Sequence, residues 1–208
     1  MSAVTIRQAG LAGILLSFFM IIGIRPAVAA DATQEAVDAA QSAVTSLLSR
    51  VEELRPYYDS DEARYFEGIE EEVAGFVDFE QVAIGVMARF SRQASDEQIL
   101  AFAEKLRSTL TRFYGSALVE YGGQEITYLP PDEPPEDPER GVNVGLRIQG
   151  GDQQLELQSA MFRNDSGEWK LRNLYVGGIN LRRQYHTQFA ALMSRHDNDI
   201  DTVIENWQ

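Results

Sequence analysis

Apolar side chains recur at steps of three and four from Val37 to Tyr121 and at every second position from Glu125 onward, so the chain reads as a helical half followed by a sheet. Val37, Ala40, Val44, Leu47, Leu48, Val51 and Leu54 form the stripe of a first helix that stops near Pro56. A second helix starts at Ser60 or Asp61 and presents Tyr65, Phe66, Ile69, Val73 and Phe76. Asp78, with Gln81 at the capping-box position, opens a third helix that carries Phe79, Val82, Ala83, Val86, Met87 and Phe90. A second capping-box pattern, SDEQ at Ser95 to Gln98, opens the longest helix. Its stripe is Ile99, Phe102, Ala103, Leu106, Leu110, Phe113, Tyr114, Ala117, Leu118 and Tyr121, and the glycines of YGG end it.

The period then falls to two. EITYL is a short first strand, and from Val142 the residues Val142, Val144, Leu146 and Ile148 alternate with Asn143, Gly145, Arg147 and Gln149. GGD turns the chain, and Leu155, Leu157, Ser159 and Met161 face one way on the return. NDSGE makes the next turn before a last strand from Trp169 to Val176. Turns this short predict an antiparallel meander. After Gly177 and Gly178 come a helix with Leu181, Tyr185, Phe189 and Leu192, then a terminal one with Ile200, Val203, Ile204 and Trp207. The predicted class is therefore α+β. Residues 130–141, between the first two strands, hold five of the seven prolines and six charges, which suits an exposed, stiff acidic loop.

Residues 1–30 stand outside this pattern. Arg7 precedes an apolar run of about sixteen residues, Ala9 to Ile24, followed by Arg25, Pro26 and AVAA. That run is shorter than the roughly twenty residues of a membrane-spanning helix. The pattern predicts a secretory signal cut after Ala29 or Ala30, leaving residues 31–208 as one domain; an uncleaved anchor is the alternative. Cysteine is absent, so no disulfide is available in an oxidising compartment, and a bacterial periplasm is the expected location. Loss of Arg7 and Arg25 takes the formal charge from -14 to about -16. Such a balance repels nucleic acid and anionic lipid surfaces alike and favours a monomer, so a protein partner is expected at any membrane.

Little of the sequence carries reaction chemistry. His186 and His196 lie ten apart with no ligand-spaced cysteine or acid, so no metal site and no cofactor are expected. No G-x-S-x-G positions a serine. The acidic pairs Asp61/Glu62, Glu70/Glu71/Glu72 and Asp96/Glu97 sit in first turns or on polar helix faces, so no catalytic residue is assigned. VGGIN lacks the lysine and hydroxyl of a phosphate-binding loop. Large or flexible apolar residues are abundant instead, and Met87, Phe90, Phe113, Tyr114, Leu118, Tyr121, Met161 and Tyr175 are candidates for clustering where helices meet the sheet. For any single one of them a filled core is the simpler reading, and periodicity alone does not distinguish a hollow from a packed interior.

Residues 76–130 resemble the MlaC family, toluene-tolerance auxiliary proteins that carry phospholipid across the Gram-negative periplasm. The resemblance rests on Ala94, Ser95 and Gln98, on Leu106, Arg107, Leu110, Tyr114, Ala117 and Leu118, and on Tyr121, Gly123 and Gln124. Trp169, Gly178, Ile179, Leu181, Tyr185, Gln188 and Phe189 match its closing pattern. Asn173 stands where that family usually has aspartate, Asn180 where it has serine, and Ala88 where glycine is common.

The resemblance implies a nuclear-transport-factor-2-like curved sheet with N-terminal and C-terminal helices around an apolar pocket for acyl chains. It makes Met87, Phe90, Phe113, Tyr114, Leu118, Tyr121, Val144, Leu146, Met161, Tyr175, Gly178, Ile179, Leu181 and Tyr185 the expected pocket lining. Gly177 and Gly178 then let the chain leave the last strand sharply, with Asn180 capping the next helix across the mouth. Arg182 and Arg183 are candidate headgroup contacts. The implied partners are a phospholipid, an inner-membrane ABC lipid-transport complex and an outer-membrane lipoprotein/porin complex. A related branch points to a hopanoid or other terpenoid lipid as alternative cargo. An enzyme of the same fold would need a buried carboxylate beside Tyr114 or Tyr121, and an adaptor would have a filled core.

Overall fold

The computed structural model describes residues 25–129, 131, 135, 137 and 140–208. The apolar run of the expected leader and much of the proline-rich loop lie outside the described residues. Six helices, α1 (Arg25–Leu54), α2 (Glu62–Phe76), α3 (Phe79–Met87), α4 (Asp96–Leu118), α5 (Leu181–Arg195) and α6 (Ile200–Glu205), accompany strands β1 (Glu125–Leu129), β2 (Val142–Gly150), β3 (Gln153–Arg163), β4 (Trp169–Val176) and β5 (Ile179–Asn180). The strands form one curved, unclosed antiparallel sheet in sequence order, an α+β architecture. Among the described residues, no helix is long and apolar enough to cross a membrane.

The helix starts follow from their caps. Asp61, Asp78, Ser95, Asn180 and Asp199 each accept a hydrogen bond from the backbone N–H three residues on, at 2.8 to 3.3 Å. That satisfies a donor the first turn would leave unpaired. At Ser95 the box is reciprocal, because Gln98 Oε1 accepts from the Ser95 amide at 3.0 Å. α1 is described from Arg25, so the expected cut after Ala29 or Ala30 falls within it. Three boundaries differ from the periodicity. α3 stops at Met87, and Phe90 belongs to a 3-10 turn, Ala88–Arg92, entered through Ala88 at φ 50° and ψ -116°. α4 ends at Leu118, three residues before Tyr121. Finally, Gly177 (φ 55°) and Gly178 (φ 81°) make a two-residue hairpin turn, so β5 folds back on β4 before α5 begins.

Three separate apolar clusters hold the fold. One is all-helical, with Ala83, Val86, Met87, Phe90, Phe102, Leu106, Phe189, Met193, Val203 and Trp207 packed between α3, α4, α5 and α6. A second joins Ala36 and Ala40 of α1 to Val142, Val144, Leu146 and Met161 of the sheet. The third lies between the C-terminal half of α1 and α2, built on Val51, Leu54, Tyr65, Phe66 and Ile69.

Candidate functional site

The strand register puts a continuous apolar surface on one face of the sheet. Ile126 and Tyr128 of β1 pair with Ile148 and Leu146; Val142, Leu146 and Ile148 pair with Met161, Leu157 and Leu155; Leu157 pairs with Val176, and Val176 with Ile179. Paired residues project to the same side, so these side chains share one face with Val144 and Leu174. α1 covers only part of it. Val144 is 0% exposed and Leu146 3%, whereas Leu155 is 42% and Ile179 57% exposed at the far rim. The face thus grades from a buried floor to an open edge.

Only some of the expected pocket residues meet there. Val144, Leu146 and Met161 form the floor, and Gly178 and Ile179 stand at the rim. Tyr175 is paired with Gln158 and Asn180 and belongs to the opposite face, because it alternates with Leu174 and Val176. Met87 and Phe90 lie in the all-helical cluster, away from the sheet. Phe113 is 69% exposed. It sits roughly three turns from Phe102 and so on the same side of α4, but it lines an open groove with Trp207 instead of joining the buried cluster. Leu118 packs on the α1/α2 cluster. The Tyr121 hydroxyl donates to the Gln124 carbonyl at 3.0 Å, while its own carbonyl accepts from Arg55 Nη2. Tyr114 and Tyr185 do meet, their hydroxyls 3.2 Å apart between α4 and α5.

The residues passed over are Ile126, Tyr128, Ile148, Leu155, Leu157, Leu174 and Val176 of the apolar face. Period-two alternation already aligns Ile148, Leu155 and Leu157 on one face, and the same signal finds the other four.

At the rim, α5 is held by a small polar network. The buried Asn173 accepts from the Arg182 amide at 3.1 Å and donates to Asn180 Oδ1 at 3.2 Å, and Asn180 caps the Arg183 amide at 3.0 Å. Leu181, half-buried, opens α5; Arg182 lies along Gly85 of α3, and Arg183 is exposed. Burial, then the hydrogen bond to Tyr114, pushes the Tyr185 hydroxyl pKa well up, and burial raises that of Tyr128. Both stay neutral at ordinary pH. The buried polar residues among those described are Thr111 and Asn173, neither ionisable. No described group of three or more His, Cys, Asp or Glu is arranged to hold a metal. The arrangement therefore offers apolar area and neutral tyrosine hydroxyls.

Two open grooves lie elsewhere. One of about 410 Å³ between α1 and α2 is polar, lined by Ser46, Arg50, Glu53, Glu71 and Glu72. The other, about 480 Å³, runs beside α4 past Lys105, Thr109, Arg112, Phe113 and Trp207. Neither is lined by the sheet.

Comparison with known proteins adds three findings. The family model described as "MlaC protein" matches residues 41–208. The toluene tolerance protein Ttg2D of Pseudomonas putida is 32% identical over 177 residues, covering 85% of this chain and 81% of that protein. The fold resembles that of a phospholipid-binding protein from Ralstonia solanacearum, solved in complex with a phospholipid, with a TM-score of 0.71 and 22% identity over 82% of this chain and 93% of that one.

Proposed function

Because the chain belongs to the MlaC family, we propose that it is a periplasmic carrier that shields the acyl chains of one phospholipid molecule or more against the apolar sheet face. The observation that carries this reading is the graded face itself: a buried floor at Val144, Leu146 and Met161 continuous with a half-covered rim at Leu155, Leu157 and Ile179. A core built only for stability has no use for large aliphatic side chains left partly in water on the inner face of a curved sheet. The phospholipid held by the Ralstonia relative supports the same ligand class.

Two acyl chains carry roughly thirty methylenes, so exposing them to water costs on the order of 24 kcal/mol at about 0.8 kcal/mol each. Transfer from a bilayer to an apolar protein surface is nearly neutral, since both environments exclude water. The carrier thus lowers a barrier and sets no direction. Direction belongs to partners, for which the family resemblance supplies an inner-membrane ABC complex and an outer-membrane lipoprotein/porin complex. Residues 1–30 act as the export signal, and a cut after Ala30 leaves α1 starting at Asp31.

The test is native mass spectrometry of the mature protein from a periplasmic extract, with lipid identified after denaturation. A stoichiometric phospholipid is expected, and a hopanoid or other terpenoid would change the cargo but keep the carrier. Leu157→Trp, which fills the middle of the face, should leave less than about a tenth of the lipid bound in a domain that still melts cooperatively. Gly178 is unsuited to such a block, because its φ of 81° strains any side chain placed there. Undiminished lipid in a folded Leu157→Trp protein would sink the assignment of this face.

A further inference from the structure

The net charge of -14 hides two faces. Residues 81–95 and 169–196 contain none of the 32 Asp and Glu and seven of the 18 Lys and Arg, which leaves the rest of the chain at -21. The fold packs these two segments together. The Arg182 side chain lies along Gly85 of α3, and His186 Nδ1 of α5 donates to the Val86 carbonyl at 2.8 Å. One turn further on, the Arg89 guanidinium sits over the Phe90 ring, itself 6.5 Å from His186. Arg92 follows Arg89 by three residues in the 3-10 turn, a spacing that stacks side chains on one side. Arg89, Arg92, Arg182 and Arg183 are all exposed, and none forms an ion pair with a described carboxylate. Ile179, 57% exposed, precedes Arg182 by three residues, and Leu155 lies on the same rim of the apolar face.

We propose that this face sets the rim of the apolar surface directly on an anionic lipid leaflet, with the four arginines on headgroup phosphates and Ile179 and Leu155 in the headgroup layer. Cations flanking exposed aliphatic tips suit a lipid interface, where charge and apolar area both gain, better than an acidic protein surface. Screening permits it. At physiological salt the field decays over about 8 Å, so a local cationic face outweighs negative charge on the far side of the molecule. The same asymmetry orients the approach, turning the acidic bulk away from the leaflet. The proposal rests on the carrier reading for its purpose, but not for its chemistry.

Flotation of the mature protein with phosphatidylcholine vesicles, with and without phosphatidylglycerol, tests it. Binding is expected only to the anionic vesicles, and it should fade towards 0.5 M salt, roughly where screening reaches a few ångströms. R89Q/R92Q should lower the partition coefficient roughly 25-fold, from the usual contribution of two surface cations, and R89E/R92E should abolish binding. Lipid content by native mass spectrometry should be unchanged in both, which also reports folding. Equal binding to both vesicle types, no binding to anionic vesicles, or wild-type binding by folded R89E/R92E would each overturn the proposal. Absence of anionic binding would return the face to an acidic protein partner. Wild-type protein that carries no lipid yet binds anionic vesicles would refute the carrier reading and leave the docking face standing.

Discussion

Replacing Ala88 by glycine should stabilise the protein. Ala88 closes α3 at φ 50° and ψ -116°, a conformation that crowds an L side chain against its own backbone. Holding a non-glycine residue in such a region costs about 1–3 kcal/mol. Glycine removes that strain, but its freer unfolded chain returns about 0.5–1 kcal/mol of the gain. Nothing else changes: Ala88 is exposed, its methyl fills no core space, and its amide still donates to the Ile84 carbonyl. The net is a gain of about 1 kcal/mol, or roughly 2–4 °C in melting temperature for a domain of this size. Urea unfolding of Ala88→Gly beside wild type measures it, and Ala88→Val should lose stability because a branched side chain fits that region worse. A glycine variant with an unchanged or lowered urea midpoint would mean that residue 88 does not hold this conformation in solution.

Asn173→Ala removes the acceptor of the Arg182 amide and the donor to Asn180 together, so it should cost about 1–3 kcal/mol in urea with an unchanged m-value. Asn173→Asp keeps an acceptor at the start of α5, where negative charge is favoured, and should recover much of that loss. Alkaline stability should depend on Tyr65, whose hydroxyl donates to the Gly115 carbonyl at 2.9 Å and whose pKa burial pushes up to about 12. The unfolded chain ionises near 10, so the contribution is complete below that pH and falls by about 3 kcal/mol between roughly pH 10 and 12. Unfolding free energies measured across pH 9 to 12 should fall less steeply for Tyr65→Phe than for wild type, and an identical slope would refute the attribution.

Helix starts are readable because each is set by a few adjacent atoms: Asp78 and Ser95 cap as their spacing predicts, Asp61 takes the start left open between it and Ser60, and Asn180 caps as the resemblance implies. The meander was readable for the same reason, since GGD and NDSGE leave the strands no other partner. What failed was the step from face to neighbour. Phe113 shares its side of α4 with Phe102, yet whether that side is covered depends on where α6 and Trp207 dock, ninety-odd residues later. Met87 and Phe90 were apolar enough for either a pocket or a helical core, and only the docking of α5 on α3 decides between them. Tyr175 is a different case. Its alternation with Leu174 and Val176 already put it on the other face, but the size of the ring outweighed the period.

The division of the core into three clusters bears on how such a protein can be loaded and emptied. Had the sheet been the centre of a single core, removing a ligand from its face would have opened a void at the place that holds the fold together, at about 24 cal/mol per Å³ of cavity. Here the helices α3 to α6 close on Phe102, Phe189 and Trp207 without the sheet, and α1 with α2 closes on Tyr65 and Phe66. The sheet contributes its buried floor, Val142, Val144, Leu146 and Met161, to a cluster sealed by α1, with Ile126, Tyr128, Leu157 and Leu171 packed half-buried against it. The rim at Leu155 and Ile179 stays exposed, so covering or baring it costs mainly surface hydration, near 25 cal/mol per Å². That expense arises while the face is bare and is recovered on contact with another apolar phase, so empty protein is most stable against a lipid surface. On the proposed carrier function, delivery and reloading at a membrane would draw on the same term without a change of folded state.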